Sequence, residues 1–204
     1  MRIVAGYARG LRLAGPGKEI GARPTSDKVR EALFNMVNTR GMTVLDLFAG
    51  SGAVGGEALS RGAKSVVFVE KHKAAVKLIQ KNIERIIGMI KASAPNSALP
   101  SVEFVSTEAV KYIEKDCGES FDFIFCDPPY AFEDSPILIK KIMGGNFLNP
   151  GGLLLFETSK LRVDDMPVPD RIKRYGDTVL LFYRQAGEDG ADASSDNGNG
   201  QAVE

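Results

Sequence analysis

The stretch Phe121-Asp122-Phe123-Ile124-Phe125-Cys126-Asp127-Pro128-Pro129-Tyr130 decides how the chain is read. Five of its first six residues are apolar or aromatic, the pattern of a strand buried on both faces. The strand then meets two prolines, which donate no ladder hydrogen bond and fix their own φ. Its carboxyl end is held rigid, with the Asp127 carboxylate and the Tyr130 ring beside it. In open α/β sheets, ligands bind outside the carboxyl ends of the strands. A carboxylate, forward-pointing carbonyls and a stacking ring suit a flat base that carries an exocyclic amine. A buried strand followed by a plain Pro-Pro turn is the competing reading.

Upstream, a strand over residues 44–48 runs into Ala49-Gly50-Ser51-Gly52-Ala53-Val54-Gly55-Gly56. Glycines 50, 52 and 55 match G-x-G-x-x-G, a weak signal alone but stronger between a strand and a helix that ends near Gly62. Glycines let the backbone approach a ligand closely, and the helix start offers free N–H groups. A second strand over 66–69 ends at Glu70-Lys71, and Glu70 lies 20 residues after Gly50, the spacing of a ribose-binding carboxylate. The following helix, 72–90, places Ala75, Leu78, Ile79, Ile83, Ile86, Ile87 and Ile90 on one face, a core stripe. His72 reads as an exposed residue at its start. A third strand, 102–105, is followed by Thr107-Glu108-Ala109 and a short helix.

After the central strand come a helix at 137–143, a turn at Asn149-Pro150-Gly151-Gly152, and a strand at 153–156 with Glu157 at its end. Segments 171–175 and 178–183 flank Gly176-Asp177, a two-residue hairpin signal. Alternating strands and helices imply an α/β fold with a doubly wound, mostly parallel sheet, closed by antiparallel strands. At the other end, residues 2–14 read as a short hairpin, and 26–38 as a helix with Val29, Ala32, Leu33, Met36 and Val37 on its apolar side. Arg30 and Glu31 lie off that stripe and face either a ligand or water.

The 204 residues are enough for one domain with a real core, and no apolar run approaches the ~20 residues that span a bilayer. No signal peptide is visible at the start, and a cytoplasmic protein is expected. Two cysteines fit a reducing compartment, and a single histidine builds no metal site. The formal net charge of zero hides an asymmetry. Residues 186–204 hold five acids and no Lys or Arg, so the rest has 26 basic against 21 acidic residues, a charge of +5. Residues 1–30 hold seven basic residues, Arg2, Arg9, Arg12, Lys18, Arg23, Lys28 and Arg30, against two acids. Such clustering suits a polyanionic partner or a merely solvated basic end. The acidic, Gly- and Ser-rich 186–204 segment is expected to be disordered.

The glycine loop fits a dinucleotide or S-adenosylmethionine. Asp46, inside the strand ahead of the loop, favours the second, because its carboxylate can orient a cationic amino group through the loop backbone. Asp127-Pro128-Pro129-Tyr130 suits an amine acceptor, which hydride transfer does not need. Asp46-Leu47-Phe48-Ala49-Gly50-Ser51-Gly52 with Asp127-Pro128-Pro129-Tyr130 resembles class I methyltransferases acting on an exocyclic amino nitrogen. Arg2-Ile3-Val4-Ala5-Gly6, the run from Arg23-Pro24-Thr25 to Phe34-Asn35, and Glu57-Ala58-Leu59-Ser60-Arg61-Gly62-Ala63 are similar to the RsmD family. Its members methylate guanine N2 in bacterial 16S ribosomal RNA.

The resemblance covers about residues 1–185. It implies a Rossmann-like, seven-stranded methyltransferase sheet over 41–185 with an N-terminal extension over 1–40. It implies a catalytic set of Asp127, Pro128, Pro129 and Tyr130, and an S-adenosylmethionine site built from Asp46, Phe48, Ala49, Gly50, Ser51, Gly52, Glu70, Lys71, Glu108, Ala109 and Asp127. It places Arg23, Thr25, Arg30, Arg2, Arg9, Arg12 and Tyr130 on the RNA side. The implied partner is 16S ribosomal RNA, in a small-subunit assembly intermediate; a monomer is the default expectation for the chain itself. Gly56 departs from the larger apolar residue usual in the family, at a helix cost of ~1 kcal/mol. A DNA adenine-N6 methyltransferase shares the Asp-Pro-Pro-Tyr chemistry but needs a target-recognition region for which this chain has no room. A glutamine-N5 protein methyltransferase more often has Asn at position 127. A non-catalytic RNA-binding assembly factor has no use for intact cofactor and acceptor motifs.

Overall fold

Seven strands form one sheet in the order β3-β2-β1-β4-β5-β7-β6 in a computed structural model that describes residues 1–15, 27–115 and 118–187. The parallel body is β1 (Thr43–Leu47), β2 (Ser65–Val69), β3 (Ser101–Val105), β4 (Phe121–Cys126) and β5 (Leu148–Ser159). β6 (Arg171–Tyr175) and β7 (Thr178–Arg184) form the hairpin that Gly176-Asp177 signals, and β7 inserts antiparallel beside β5. β1 and β4 are buried almost throughout, as near-continuous apolar runs require in a sheet covered on both faces.

Helices cover the two faces. On one, α1 (Asp27–Met36), α2 (Ala53–Ser60) and α3 (Lys73–Ser93) pack around Leu33, Leu59, Ile79, Phe68 and Phe123. On the other, α4 (Ala109–Lys115) and α5 (Ser135–Gly144) pack Tyr112, Leu138 and Ile142 against Leu45, Ile124 and Leu154. A 3-10 helix (Lys160–Asp165) joins β5 to β6, an element with no signal in the sequence. Among the described residues, no helix is long and apolar enough to cross a membrane.

Most boundaries shift by one or two residues from the sequence reading, and two differ for a visible reason. The α3 helix runs three residues past Ile90, because Lys91-Ala92-Ser93 contains no breaker. Asn149-Pro150-Gly151-Gly152 does not end a strand. It lies inside β5, where Phe121 pairs with Leu148 and Phe123 with Leu153. The extra residues are absorbed as an irregularity in which Gly151 takes φ 74°, so turn-type residues make a bulge instead of a stop. At the same end of the sheet, Asp122 accepts from the Thr43 N–H at 2.8 Å and from Asn149 Nδ2 at 2.8 Å, stitching β1, β4 and β5 together.

The N-terminal segment is a hairpin in hydrogen bonds, with one antiparallel bridge between Arg2 and Arg12. It docks on α2 and α3. The buried Glu57 carboxylate accepts the Val4 and Ala5 N–H groups at 2.7 and 2.9 Å and Arg61 Nε at 2.8 Å. Ser60 Oγ takes the Ala8 N–H at 2.9 Å, and Asn82 holds both the N–H and the carbonyl of Ala14. Arg30 belongs to this joint. It is fully buried, its Nε lies 3.8 Å from Glu57 Oε2, and it donates to the Arg2 carbonyl. The expectation that Arg30 meets RNA is therefore corrected: a position off the apolar stripe of α1 faces a second buried surface supplied by the hairpin.

Candidate active site

The carboxyl ends of β1 to β5 border one cleft of about 1000 Å³, the upper end of the ligand-pocket range. The glycine loop forms its floor. Phe48 leaves β1 with φ 71°, a left-handed conformation that a bulky side chain rarely adopts. Such outliers cost about 1–3 kcal/mol and persist where the surroundings enforce them. Here the Ala49 N–H is held by the Val69 carbonyl at 3.0 Å, and the Gly52 N–H by the Ala49 carbonyl at 2.7 Å. Phe48, Ala49, Gly50 and Ser51 line the cleft. Gly52 does not. It takes φ 73°, and a Cβ there would stand 2.8 Å from Ile79 Cγ2, so its part is to turn the loop tightly against α3.

Two buried acids hold this loop and the helix that follows it. Glu70, nearly buried, accepts the Gly50 N–H at 3.0 Å on one oxygen and the His72 N–H at 2.8 Å on the other. It thereby fixes the loop to the start of α3. Asp46 accepts the Gly55 N–H at 2.8 Å from inside α2. Burial pushes its carboxyl up to about 7, the Gly55 N–H draws it back, and the charges of Asp127 and Glu70 raise it again. Carboxylates that repel one another across a cleft suit a ligand that brings positive charge between them. Glu108 and Ala109, after β3, form the far wall with Lys71.

The β4 end supplies the opposite wall. Asp127 is half-buried, Pro128 is buried, and Tyr130 is exposed at the cleft mouth. All four residues of Asp127-Pro128-Pro129-Tyr130 line the same cleft as the glycine loop. Two contacts with no sequence signal hold the segment that follows. Arg162, in the 3-10 helix, donates to the carbonyls of Tyr130 and Phe132 at 3.0 and 2.7 Å. The Phe132 ring meets Phe48 edge to face, with centroids 5.3 Å apart. The sequence reading also gave no role to Glu157, which lines the cleft from β5 and is buried, nor to Tyr175 and Asp177 of the β6–β7 turn. Glu157 was visible as an acid at a strand end. Arg162 had no local signal, because its contact spans 30 residues.

Of the residues assigned to RNA, Tyr130 is at the cleft. Arg2, Arg9 and Arg12 are exposed on the N-terminal hairpin and do not line it. Arg23 and Thr25 lie outside the described residues, as do positions 188–204.

A family model described as "Conserved hypothetical protein 95" matches residues 1–184. Ribosomal RNA small subunit methyltransferase D of Haemophilus influenzae is 36% identical over 187 residues, 90% of this chain and 92% of that protein. The protein of the same name in Escherichia coli K12 is 35% identical over 132 residues, 64% of this chain and 60% of its own length. Among solved structures, a hypothetical protein of Thermus thermophilus superposes with a TM-score of 0.74 at 31% identity, over 90% of this chain and 98% of its own.

Proposed function

The chain belongs to the ribosomal RNA small subunit methyltransferase D family, and from that premise we propose that it methylates the exocyclic N2 amine of a guanine in 16S ribosomal RNA, using S-adenosylmethionine. One observation carries the reading: Asp127-Pro128-Pro129-Tyr130 and the glycine loop border the same open cleft from the ends of adjacent strands, β4 and β1. A substrate of that kind puts the enzyme in the cytoplasm.

Asp46, through the loop backbone, would orient the amino-acid end of the cofactor. Glu70 would receive the ribose hydroxyls with the lone pairs its two backbone donors leave free. Glu108 and Ala109 would border the adenine. When bound, S-adenosylmethionine supplies a sulfonium-activated methyl group. A guanine amine is a poor nucleophile, because its lone pair is delocalised into the ring. Asp127 and the Pro128 carbonyl would accept its two N–H bonds and turn the lone pair toward the methyl carbon. Tyr130 would stack on the base. The surplus proton passes to Asp127 or to water. Positioning of this kind supplies much of the barrier reduction for an already strong electrophile. The target base must be unpaired or flipped out to reach the cleft.

The test is methyl transfer from tritiated S-adenosylmethionine to naked 16S RNA, immature small subunits, DNA and protein. Label is expected in the ribosomal RNA alone, at guanine N2. Asp127→Ala is expected to bind cofactor within about twofold of the parent and to lose transfer by at least about 100-fold. Label in DNA or protein, or unchanged turnover in the variant, would remove the assignment.

A further inference from the structure

α3 carries a row of cations that the cleft does not use. Lys73, Lys77, Lys81 and Arg85 recur at every fourth residue, and all four are exposed. Four residues advance a helix by about 6 Å and turn it about 40° beyond one full turn, so the row is about 18 Å long and winds slowly across the solvent side. It begins next to Lys71 and His72, which line the cleft. It ends at Arg85, whose Nη1 donates to the Arg12 carbonyl at 2.8 Å. That bond joins the row to the N-terminal hairpin, where exposed Arg2 and Arg12 stand opposite each other across the antiparallel bridge.

Neither arrangement helps the fold. Like charges four residues apart on a helix repel, and so do like charges directly opposite on paired strands. α3 contains one acid, Glu84, and among the described residues no ion pair involves any of these six cations. Lysines elsewhere do find partners, as Lys111 does with Glu108 and Lys141 with Glu114.

We infer that the α3 row and the hairpin arginines form one track for an RNA phosphate backbone, leading to the mouth of the cleft. This rests on the proposed ribosomal RNA substrate and adds the surface that holds it. A polyanion is the occupant selected by charge: it relieves both repulsions and gains from counterion release. Phosphate contacts fix register and orientation without reading sequence, which leaves recognition of the base to the cleft.

The test compares Lys77→Ala/Lys81→Ala with a control of equal charge, Lys115→Ala/Lys140→Ala, whose exposed lysines lie on α4 and α5 across the sheet. Binding of each protein to a 16S RNA transcript is measured across a salt series, beside methyl transfer to immature subunits. The row variant is expected to bind about tenfold more weakly, with a log–log salt slope smaller by about 1.4. Its KM for RNA rises while kcat and S-adenosylmethionine affinity hold, and the control follows the parent. Parent-like binding by the row variant, or equal weakening in both variants, would overturn the track. So would binding to anionic lipid vesicles with none to RNA. Binding is read without catalysis, so a parent that binds RNA through the row yet methylates no ribosomal RNA would sink the proposed reaction and leave the track standing.

Discussion

Asp46 joins a structural duty to a titration near neutrality. Its carboxyl holds the Gly55 N–H from a buried position and is pushed up to about 7 by that burial, with Asp127 and Glu70 adding to the rise. An acid raised in the folded state lends stability that is full below its ordinary value of 3.8 and lost as pH climbs toward 7. A cationic ligand has the opposite preference, because it favours the carboxylate. Cofactor binding at pH 6 is therefore expected to release about one proton, with almost none released at pH 8.5, and affinity should weaken as pH falls below about 7. Calorimetry in two buffers of different ionisation heat measures the release, and Asp46→Asn should abolish it. Identical heats in both buffers would show that the Asp46 carboxyl does not sense the ligand's positive charge. Asp46, Glu70 and Asp127 were legible in the sequence because each sits at or near the end of an apolar run, where strand period and ligand geometry coincide. Gly52 was legible as a glycine, but its close packing against Ile79, 27 positions away, was not.

At the scale of elements, strands and helices followed from periodicity, and the errors arose where a long-range partner decided the outcome. Pro150 and the two glycines after it have turn chemistry, yet β4 pairs with Leu148 and Leu153 on either side of them, and Gln185 and Ala186, just past β7, hydrogen-bond Gly152 and Gly151. Gly56 looked like a helix penalty. A Cβ there would stand 2.8 Å from Ile86 Cδ1, so the missing side chain lets α2 sit close on α3. Arg30 was read as free to face a ligand because its buried partner, Glu57, comes from another helix. The joint made by Arg30, Glu57, Arg61 and the hairpin backbone has a measurable consequence. Glu57→Ala would take the carboxylate away from the buried Arg30 guanidinium and release the Val4 and Ala5 N–H groups. Breaking a buried pair by removing one partner costs about 3–5 kcal/mol, and urea unfolding should show a loss of that size. Glu57→Gln, which keeps an acceptor, should lose less. A loss under about 1 kcal/mol for the alanine variant would show that the hairpin docks through other contacts.

Across the whole molecule, charge is divided rather than absent. The family match ends at residue 184, and the five acids of 188–204 bring a body of +5 to a formal zero. The cations of that body include the hairpin arginines and the α3 row, both exposed. If the substrate is the proposed ribosomal RNA, the chain thus carries an anion of its own that competes with it. All the described strands and helices end by Arg184, so removal of 188–204 should leave the fold and the cofactor cleft as they are. Removal should strengthen RNA binding several-fold at low salt, where charges act over about 30 Å, and the gain should shrink near 0.15 M, where the Debye length is about 8 Å. A salt series of RNA affinity for the full and shortened chains measures both effects, with turnover at saturating RNA as the control. Affinities that agree at low salt would mean that the acids never compete for the basic surface. A gain that persists undiminished in high salt would mean that the segment blocks RNA by contact, not by its charge.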